Sequence, residues 1–126
     1  IKVEPPGEGD PGRHIRPPDQ RTSVFFRNMG RGKKSVVLDL KSEDGKEAVR
    51  RLVATADILV ENFRPGVMDD MGLSWQALQD IKPDIISCHV TGFGLDGPYA
   101  QRPSFDFIAQ AMSDKAVSSG KVTVRI

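Results

Sequence analysis

The sequence has one cysteine, few aromatic residues and almost no net charge. A single thiol, Cys88, cannot form a disulfide within the chain, which excludes a disulfide-stapled secreted module. Eighteen basic residues against seventeen acidic ones give a net charge of +1, which argues against a general nucleic-acid binder. No apolar run approaches the roughly 20 residues of a membrane-spanning helix, and no apolar signal-peptide core precedes Pro5-Pro6. We therefore expect a cytoplasmic protein without membrane or nucleic-acid partners.

The chain is 126 residues long and begins with Ile1. At roughly 100–200 residues per domain, this length predicts at most one domain. Because a natural chain normally starts with methionine, we expect the sequence to be a piece of a longer protein or a processed form of one.

Predicted strands alternate with predicted helices along most of the chain. Short apolar or β-branched runs indicate strands over 1–4, 35–40, 57–61 and 84–90. Apolar stripes indicate helices over 43–55, 65–71, 75–82 and 104–112. Ser42 and Ser74 are predicted to cap the first and third of these at their start, and Gly72 to end the second as a left-handed cap. The alternation predicts an α/β fold with a Rossmann-like parallel sheet and flanking helices. The continuous β-branched run within 35–40 further predicts a strand that is buried on both faces.

Two segments do not belong to this alternation. Residues 5–23 are rich in proline and glycine and predict a long loop, which is either functional or a plain surface excursion. Residues 121–126 alternate apolar and polar side chains like a strand, but the sequence does not indicate a partner for it. They are either a short edge strand or a remnant of different origin from the rest.

Three predicted loops follow the carboxyl ends of predicted strands, where ligands bind to parallel α/β sheets. They are residues 39–41, 61–66 and 91–94, and we expect all three on one rim of the sheet. Because glycine has no side chain, Gly92 and Gly94 would let their backbone amides approach an anionic group closely. The need for a tight turn would by itself also explain why these two positions are glycine.

Side chains in these loops have the chemistry to bind a nucleotide. Lys41 and Arg64 carry cations that pair with phosphates, and Phe63 and Phe93 offer rings that stack on a flat base. A solvated position in the first turn of a helix would explain Lys41 equally well.

Catalytic arrangements are scarce in the sequence. His14 lies in the proline-rich loop and His89 in a predicted strand, and neither has the sequence neighbours of a metal site or a triad. His89 and Cys88 are adjacent in a strand, so they face opposite ways and are not a Cys–His pair. A pair of acids, Glu61 and Asp96, could be placed on the rim, but their spacing does not establish it.

Several motifs together resemble the class III CoA-transferases, of the formyl-CoA transferase, carnitine dehydratase and bile-acid-inducible protein F type. The motifs, in order, are IKVEPPGEGD (1–10), RGKKSVVLDLK (31–41), ADILVENFRPG (56–66), GFGLDGPY (92–99) and RPSFDFIAQA (102–111). The resemblance covers residues 1–113, as part of a CoA-transferase large domain. We expect residues 114–126 to be a tail that departs from the family pattern.

The resemblance implies a Rossmann-like domain that binds coenzyme A and no metal. Members of the family move coenzyme A from an acyl-CoA to a carboxylic acid. An aspartate attacks the thioester, giving a mixed anhydride and then an aspartyl-CoA thioester. The coenzyme contacts that the resemblance implies come from three segments, Leu38, Asp39, Leu40 and Lys41, then Asn62, Phe63 and Arg64, then Thr91, Gly92, Phe93 and Gly94.

The resemblance also implies what this stretch of chain does not hold. The nucleophilic aspartate is expected roughly twenty residues after Gln110, so residues 1–126 alone are expected to lack turnover and no catalytic residue is assigned among them. The alternative is a stand-alone, non-catalytic module that binds coenzyme A or serves in oligomerisation. Because the family forms interlocked dimers, we expect a homo-oligomer.

Overall fold

The computed structural model describes residues 1–17, 19–104 and 121–125. The chain divides into two compact units, Ile1–Ala48 and Val49–Ile126. The strands are β1 (Lys2–Glu4), β2 (Ser35–Val37), β3 (Ile58–Glu61), β4 (Ile86–Thr91) and β5 (Lys121–Arg125), and the α-helices are α1 (Val24–Gly30), α2 (Glu43–Val53), α3 (Val67–Asp70) and α4 (Trp75–Ile81). The predicted α/β class is confirmed.

The first unit is built on two parallel strands. β1 pairs with β2 in the register Lys2↔Ser35 and Glu4↔Val37. β2 ends at Val37, which is 59% exposed, so the prediction that this strand is buried on both faces is wrong for the described residues. The two strands that the described residues contribute to this sheet offer too little neighbouring surface to cover both of its faces.

The segment between β1 and β2 is more ordered than its composition predicts. It contains a 3-10 helix, Pro11–His14, and then α1. Ser23 caps α1 because its hydroxyl accepts the Phe26 amide at 3.0 Å. The same hydroxyl donates to the Ile15 carbonyl at 2.7 Å, which ties the end of the proline-rich loop to the start of the helix.

Glu4 is a buried hydrogen-bond acceptor at the centre of the first unit. Its carboxylate accepts from the Arg13 guanidinium at 2.7 and 2.9 Å, from the Ser35 hydroxyl at 2.7 Å and from the Asp10 amide at 3.1 Å. These donors outweigh the cost of burial, and the Arg13 guanidinium above all holds the pKa of the Glu4 carboxyl at about 2. The loop 5–23 is therefore fastened to both strands through one side chain.

The second unit carries a mixed sheet in the order β3-β4-β5. β3 and β4 are parallel, with Ile58 opposite Ile86 and Glu61 opposite His89. β5 pairs with β4 in the antiparallel direction, so the alternating segment from residue 121 is an edge strand, with β4 as its partner. The parallel prediction therefore holds within β1-β2 and β3-β4, and β5 departs from it.

In the second unit, α4 begins at Trp75 as predicted and ends one residue before the predicted end. The helix α3 is shorter than the predicted helix 65–71, because Gly66 before it has a left-handed φ of +94°. The Ser74 hydroxyl accepts the Ala77 amide at 3.2 Å and caps α4, which ends at Ile81 before Pro83. Gly72 has the left-handed φ of +69° that was predicted for a helix end. The buried apolar residues of this unit are Val49, Val53, Leu73, Leu78 and Ile85.

β4 buries a polar face. Ser87, His89 and Thr91 are buried, while Ile86, Cys88 and Val90 on the opposite face are only half-buried. Because side chains alternate along a strand, His89 and Cys88 point to opposite faces, as predicted.

Most of the predicted helix 104–112 and the polar stretch 114–120 lie outside the described residues. Within the described part of the chain, no helix is both long enough and apolar enough to cross a membrane.

Candidate functional site

Two of the predicted loops follow neighbouring strands at one edge of the second sheet. β3 ends at Glu61 and β4 ends at Thr91, and their parallel pairing puts both carboxyl ends at the same edge. Asn62–Arg64 therefore starts beside the strand that leads into Thr91–Gly94. Adjacent strands lie about 4.8 Å apart, so this edge brings two loop origins within reach of one ligand.

The loop after β3 is anchored to the sheet at two points. The buried Glu61 carboxylate accepts the Phe63 backbone amide at 2.5 Å through Oε2. The Asn62 side chain donates its Nδ2 hydrogen to the Val90 carbonyl at 2.6 Å. With these anchors in place, Phe63 is 40% exposed and Arg64 is exposed, so the loop presents an aromatic residue and a cation to solvent.

The loop after β4 is a tight turn that needs both glycines. The Thr91 hydroxyl accepts the Gly94 amide at 2.8 Å, and Gly94 has a φ of +95° that favours glycine. A Cβ added at Gly92 would lie only 2.1 Å from the Cβ of Ser104. The tight-turn interpretation of the two glycines is therefore confirmed, and anion binding by their amides stays a prediction.

Aromatic and cationic groups extend this second loop. The ring of Phe93 is 5.8 Å from that of Tyr99 at an interplanar angle of 51°, a tilted aromatic pair. The guanidinium carbon of Arg102 lies 4.6 Å from the centroid of the Tyr99 ring. Tyr99 and Arg102 were not predicted as site residues from the sequence. Their positions in the motifs 92–99 and 102–111 are the only signal that could have indicated them.

The third predicted segment, Leu38–Lys41, belongs to the first unit and follows β2. Its turn is closed by the Asp39 side chain, which accepts the Lys41 amide at 3.0 Å, and by the Asp39 carbonyl, which accepts the Ser42 hydroxyl at 2.8 Å. Ser42 in turn accepts the Gly45 amide at 3.1 Å and caps α2, as predicted. Lys41 is exposed.

His89 has hydrogen-bond partners that the sequence did not reveal. Its Nδ1 is 2.5 Å from Glu61 Oε1 and its Nε2 is 3.0 Å from the Ser87 hydroxyl. The expectation that His89 lacks triad-like neighbours is therefore wrong. Ser87 and His89 share one face of β4, but the third member lies 28 residues away, and only the strand register places it there.

The hydrogen-bonded side chains of Ser87, His89 and Glu61 do not form a hydrolytic triad. Ser87 has no exposed surface, so its hydroxyl cannot reach a substrate carbonyl. Both oxygens of Glu61 already take part in hydrogen bonds, to Phe63 and His89, and Asp96 is exposed, so an acid pair of Glu61 and Asp96 stays a prediction. Among the residues that the structure describes, no three histidine, cysteine or acidic side chains cluster as metal ligands.

The family model described as CoA-transferase family III matches residues 1–122. The chain belongs to this family. The resemblance seen in the sequence motifs is thereby confirmed, and so is the assignment of the fold to the CaiB/BaiF type of protein.

Curated relatives and solved structures agree with this membership. The chain is 44% identical over 120 residues to acetyl-CoA:oxalate CoA-transferase of Acetobacter aceti, covering 95% of this chain and 31% of that protein. It is 43% identical over 114 residues to succinyl-CoA:glutarate CoA-transferase of Mus musculus, covering 90% of this chain and 26% of that protein.

The crystal structure of a CaiB/BaiF family protein from Brucella suis has a TM-score of 0.81 and 45% identity, covering 87% of this chain and 30% of that one. A hypothetical protein from Mycobacterium tuberculosis has a TM-score of 0.81 and 36% identity, covering 98% of this chain and 35% of that one. The chain thus spans about a third or less of the relatives it matches.

Proposed function

We propose that the protein carrying these residues transfers coenzyme A from an acyl-CoA to a carboxylic acid, and that this region supplies part of the surface that binds the coenzyme. The observation that carries the proposal is the shared edge of β3 and β4, where Asn62–Arg64 and Thr91–Gly94 begin, in a chain of CoA-transferase family III. The family resemblance implies coenzyme contacts from Leu38–Lys41 as well.

The chemistry of the two loops fits the parts of coenzyme A. The exposed ring of Phe63 is a stacking surface for the adenine base, and the Arg64 guanidinium is a partner for a phosphate. Because the Gly94 amide donates to the Thr91 hydroxyl, the amides of this turn that we propose as donors to phosphate oxygens are those of Gly92 and Phe93. The family resemblance implies coenzyme contacts from the same two segments.

We extend the proposal to the acceptor acid. The two curated relatives are named for oxalate and for glutarate, and both are dicarboxylic acids. We propose that the acceptor is a short dicarboxylate. An assay with acetyl-CoA or succinyl-CoA as donor, and with oxalate, glutarate or the monocarboxylate butyrate as acceptor, tests this in the full-length protein. Transfer to butyrate alone would contradict it.

The coenzyme site is tested by calorimetric titration of coenzyme A into the full-length protein. Arg64→Ala is expected to weaken binding about tenfold, because a charge-assisted contact to phosphate is lost. Arg27→Ala is the matched control, since Arg27 is an exposed arginine on α1, away from the three loops in the sequence. Equal affinities of the parent and Arg64→Ala for coenzyme A would show that Arg64 does not bind the coenzyme.

We further propose that residues 1–126 on their own do not turn over, because the family resemblance puts the nucleophilic aspartate roughly twenty residues after Gln110. A polypeptide of these residues is mixed with an acyl-CoA and an acid, and new acyl-CoA is measured by chromatography. Turnover above the background without protein would contradict the proposal.

Homo-oligomer formation is also part of the proposal. The second sheet exposes apolar side chains, with Ile58 at 56%, Val60 at 63% and Val124 at 53% of their surface. Exposed apolar patches favour association with further protein surface. Light scattering of a polypeptide of residues 1–126, on which these side chains are exposed, is expected to give a mass above that of one chain, and a monomer at high concentration would contradict this.

A further inference from the structure

Glu61 and His89 hold each other across the two strands that lead into the candidate coenzyme loops. They are paired in the strand register, and their exposed fractions are 9% and 8%. The distance of 2.5 Å between Glu61 Oε1 and His89 Nδ1 is that of a short, charge-assisted hydrogen bond. Burial of two polar side chains is costly unless they are hydrogen-bonded, so this contact is a strong constraint on both of them.

Ser87 fixes the His89 ring from the side opposite to Glu61. A carboxylate at Nδ1 requires a proton on that nitrogen, so in the neutral ring Nε2 accepts the Ser87 hydroxyl proton at 3.0 Å. Ser87 has no exposed surface, so this contact is shielded from competing water. The ring of His89 is thus held at both nitrogens, and it orients the Glu61 carboxylate in turn.

The carboxylate passes this orientation to the loop. Its second oxygen, Oε2, accepts the Phe63 backbone amide at 2.5 Å. A carboxylate bound at only one oxygen can turn about its last side-chain bond, whereas Glu61 is bound at both. The chain of contacts therefore runs from buried Ser87 through His89 and Glu61 to the backbone of a residue that is 40% exposed.

We propose that His89 is a positioning residue for coenzyme A, which acts through Glu61 to fix the backbone of Phe63 and so the ring against which the base of the coenzyme lies. This inference rests on the proposed function, because it needs Phe63 to contact the coenzyme. His89 itself touches neither substrate nor coenzyme. Its effect is therefore expected in the affinity for coenzyme A.

Calorimetric titration of coenzyme A into the full-length protein tests the first step. His89→Leu is expected to weaken binding about tenfold, since Glu61 loses the hydrogen bond that orients the carboxylate holding the Phe63 amide. His89→Asn is expected to recover most of the affinity, because its amide nitrogen can take the place of Nδ1 and donate to Glu61. His14→Leu is the matched control, since His14 is exposed in the first unit and contacts the Glu8 carbonyl at 3.1 Å.

A second pair of variants separates positioning from a purely structural role. Phe63→Ala removes the ring but keeps the backbone amide, so His89→Leu should cost little further affinity in the Phe63→Ala background. If the loss of affinity in the double variant is instead the product of the losses in Phe63→Ala and His89→Leu, His89 does not act through Phe63 and the inference is overturned. Circular dichroism confirms that each titrated sample is folded. If His89→Leu does not fold, His89→Phe replaces it, because it keeps a planar ring but has no nitrogen to contact Glu61.

The outcomes distinguish this inference from the proposed function. If the parent binds coenzyme A and His89→Leu binds it equally well, the positioning role is overturned and the proposed function stands. If the folded parent does not bind coenzyme A at all, the proposed function fails and the inference fails with it. Weaker binding that His89→Asn restores, and that disappears in the Phe63→Ala background, supports the inference.

Discussion

Arg13 holds Glu4 through both carboxylate oxygens, with its Nε 2.7 Å from Oε2 and its Nη2 2.9 Å from Oε1. Glu4 lies in β1 and is 2% exposed, while Arg13 belongs to the 3-10 helix of the long loop. The guanidinium carbon also lies 4.0 Å from the centroid of the Phe26 ring on α1. One arginine therefore connects a strand, a loop and a helix within the first unit.

Glu4→Gln is expected to destabilise the first unit. The neutral amide cannot accept two guanidinium hydrogens together with the Ser35 hydroxyl and the Asp10 amide, so buried donors lose their partner. The expected loss in the free energy of unfolding is about 2 kcal/mol, as for a hydrogen bond to a charged group. Urea denaturation measures it, and Glu8→Gln at an exposed position is the matched control. Equal midpoints for the two variants would contradict the role of Glu4.

The same contact predicts a stability that falls in acid. Because the pKa of Glu4 is about 2 in the folded state, well below its ordinary value of 4.5, the unfolded state binds the proton more readily. Its contribution is therefore complete above pH 4.5 and is lost as the pH falls toward 2. Denaturation midpoints at pH 6 and pH 3 should differ more in the parent than in Glu4→Gln. A parallel pH dependence in both proteins would show that other groups cause it.

Gly92→Ala is expected to disrupt the turn after β4. The added Cβ would meet the Ser104 Cβ at 2.1 Å, a separation that no packing of two carbons allows. The double variant Gly92→Ala with Ser104→Gly removes the opposing atom and is expected to recover most of the lost melting temperature. Gly30→Ala, where the added Cβ has only ordinary contacts, is the control. Failure of the double variant to recover would mean that a contact other than Ser104 determines the cost.

Much of the local structure could be predicted from the sequence because it depends on neighbouring residues. Ser42 and Ser74 cap their helices as predicted, since a cap needs only a hydroxyl and an amide three residues later. The shared edge for Asn62–Arg64 and Thr91–Gly94 could be predicted as well, because parallel strands end together. These predictions do not depend on how distant parts of the chain pair.

The contacts that could not be predicted join residues far apart in the chain. Glu61 and His89 are 28 residues apart, and Glu4 and Ser35 are 31 apart. Each pair forms only in one strand register, which composition and periodicity do not determine. The pairing of β5 with β4 could not be predicted either, because an alternating pattern indicates a strand but does not indicate which strand lies beside it. Whether Leu38–Lys41 joins the other two loops in one coenzyme site stays a prediction.

Gly45→Ala tests the turn that carries Leu38–Lys41. A Cβ at Gly45 would lie 1.9 Å from the Asp39 carbonyl oxygen, which is a backbone atom. No side-chain substitution at Asp39 can therefore relieve the clash, in contrast to the pair Gly92 and Ser104. The start of α2 must move away from the turn, so Gly45→Ala is expected to lower the melting temperature with and without Asp39→Ala. Recovery in the double variant would show that the Asp39 side chain, rather than its carbonyl, limits the space beside Gly45.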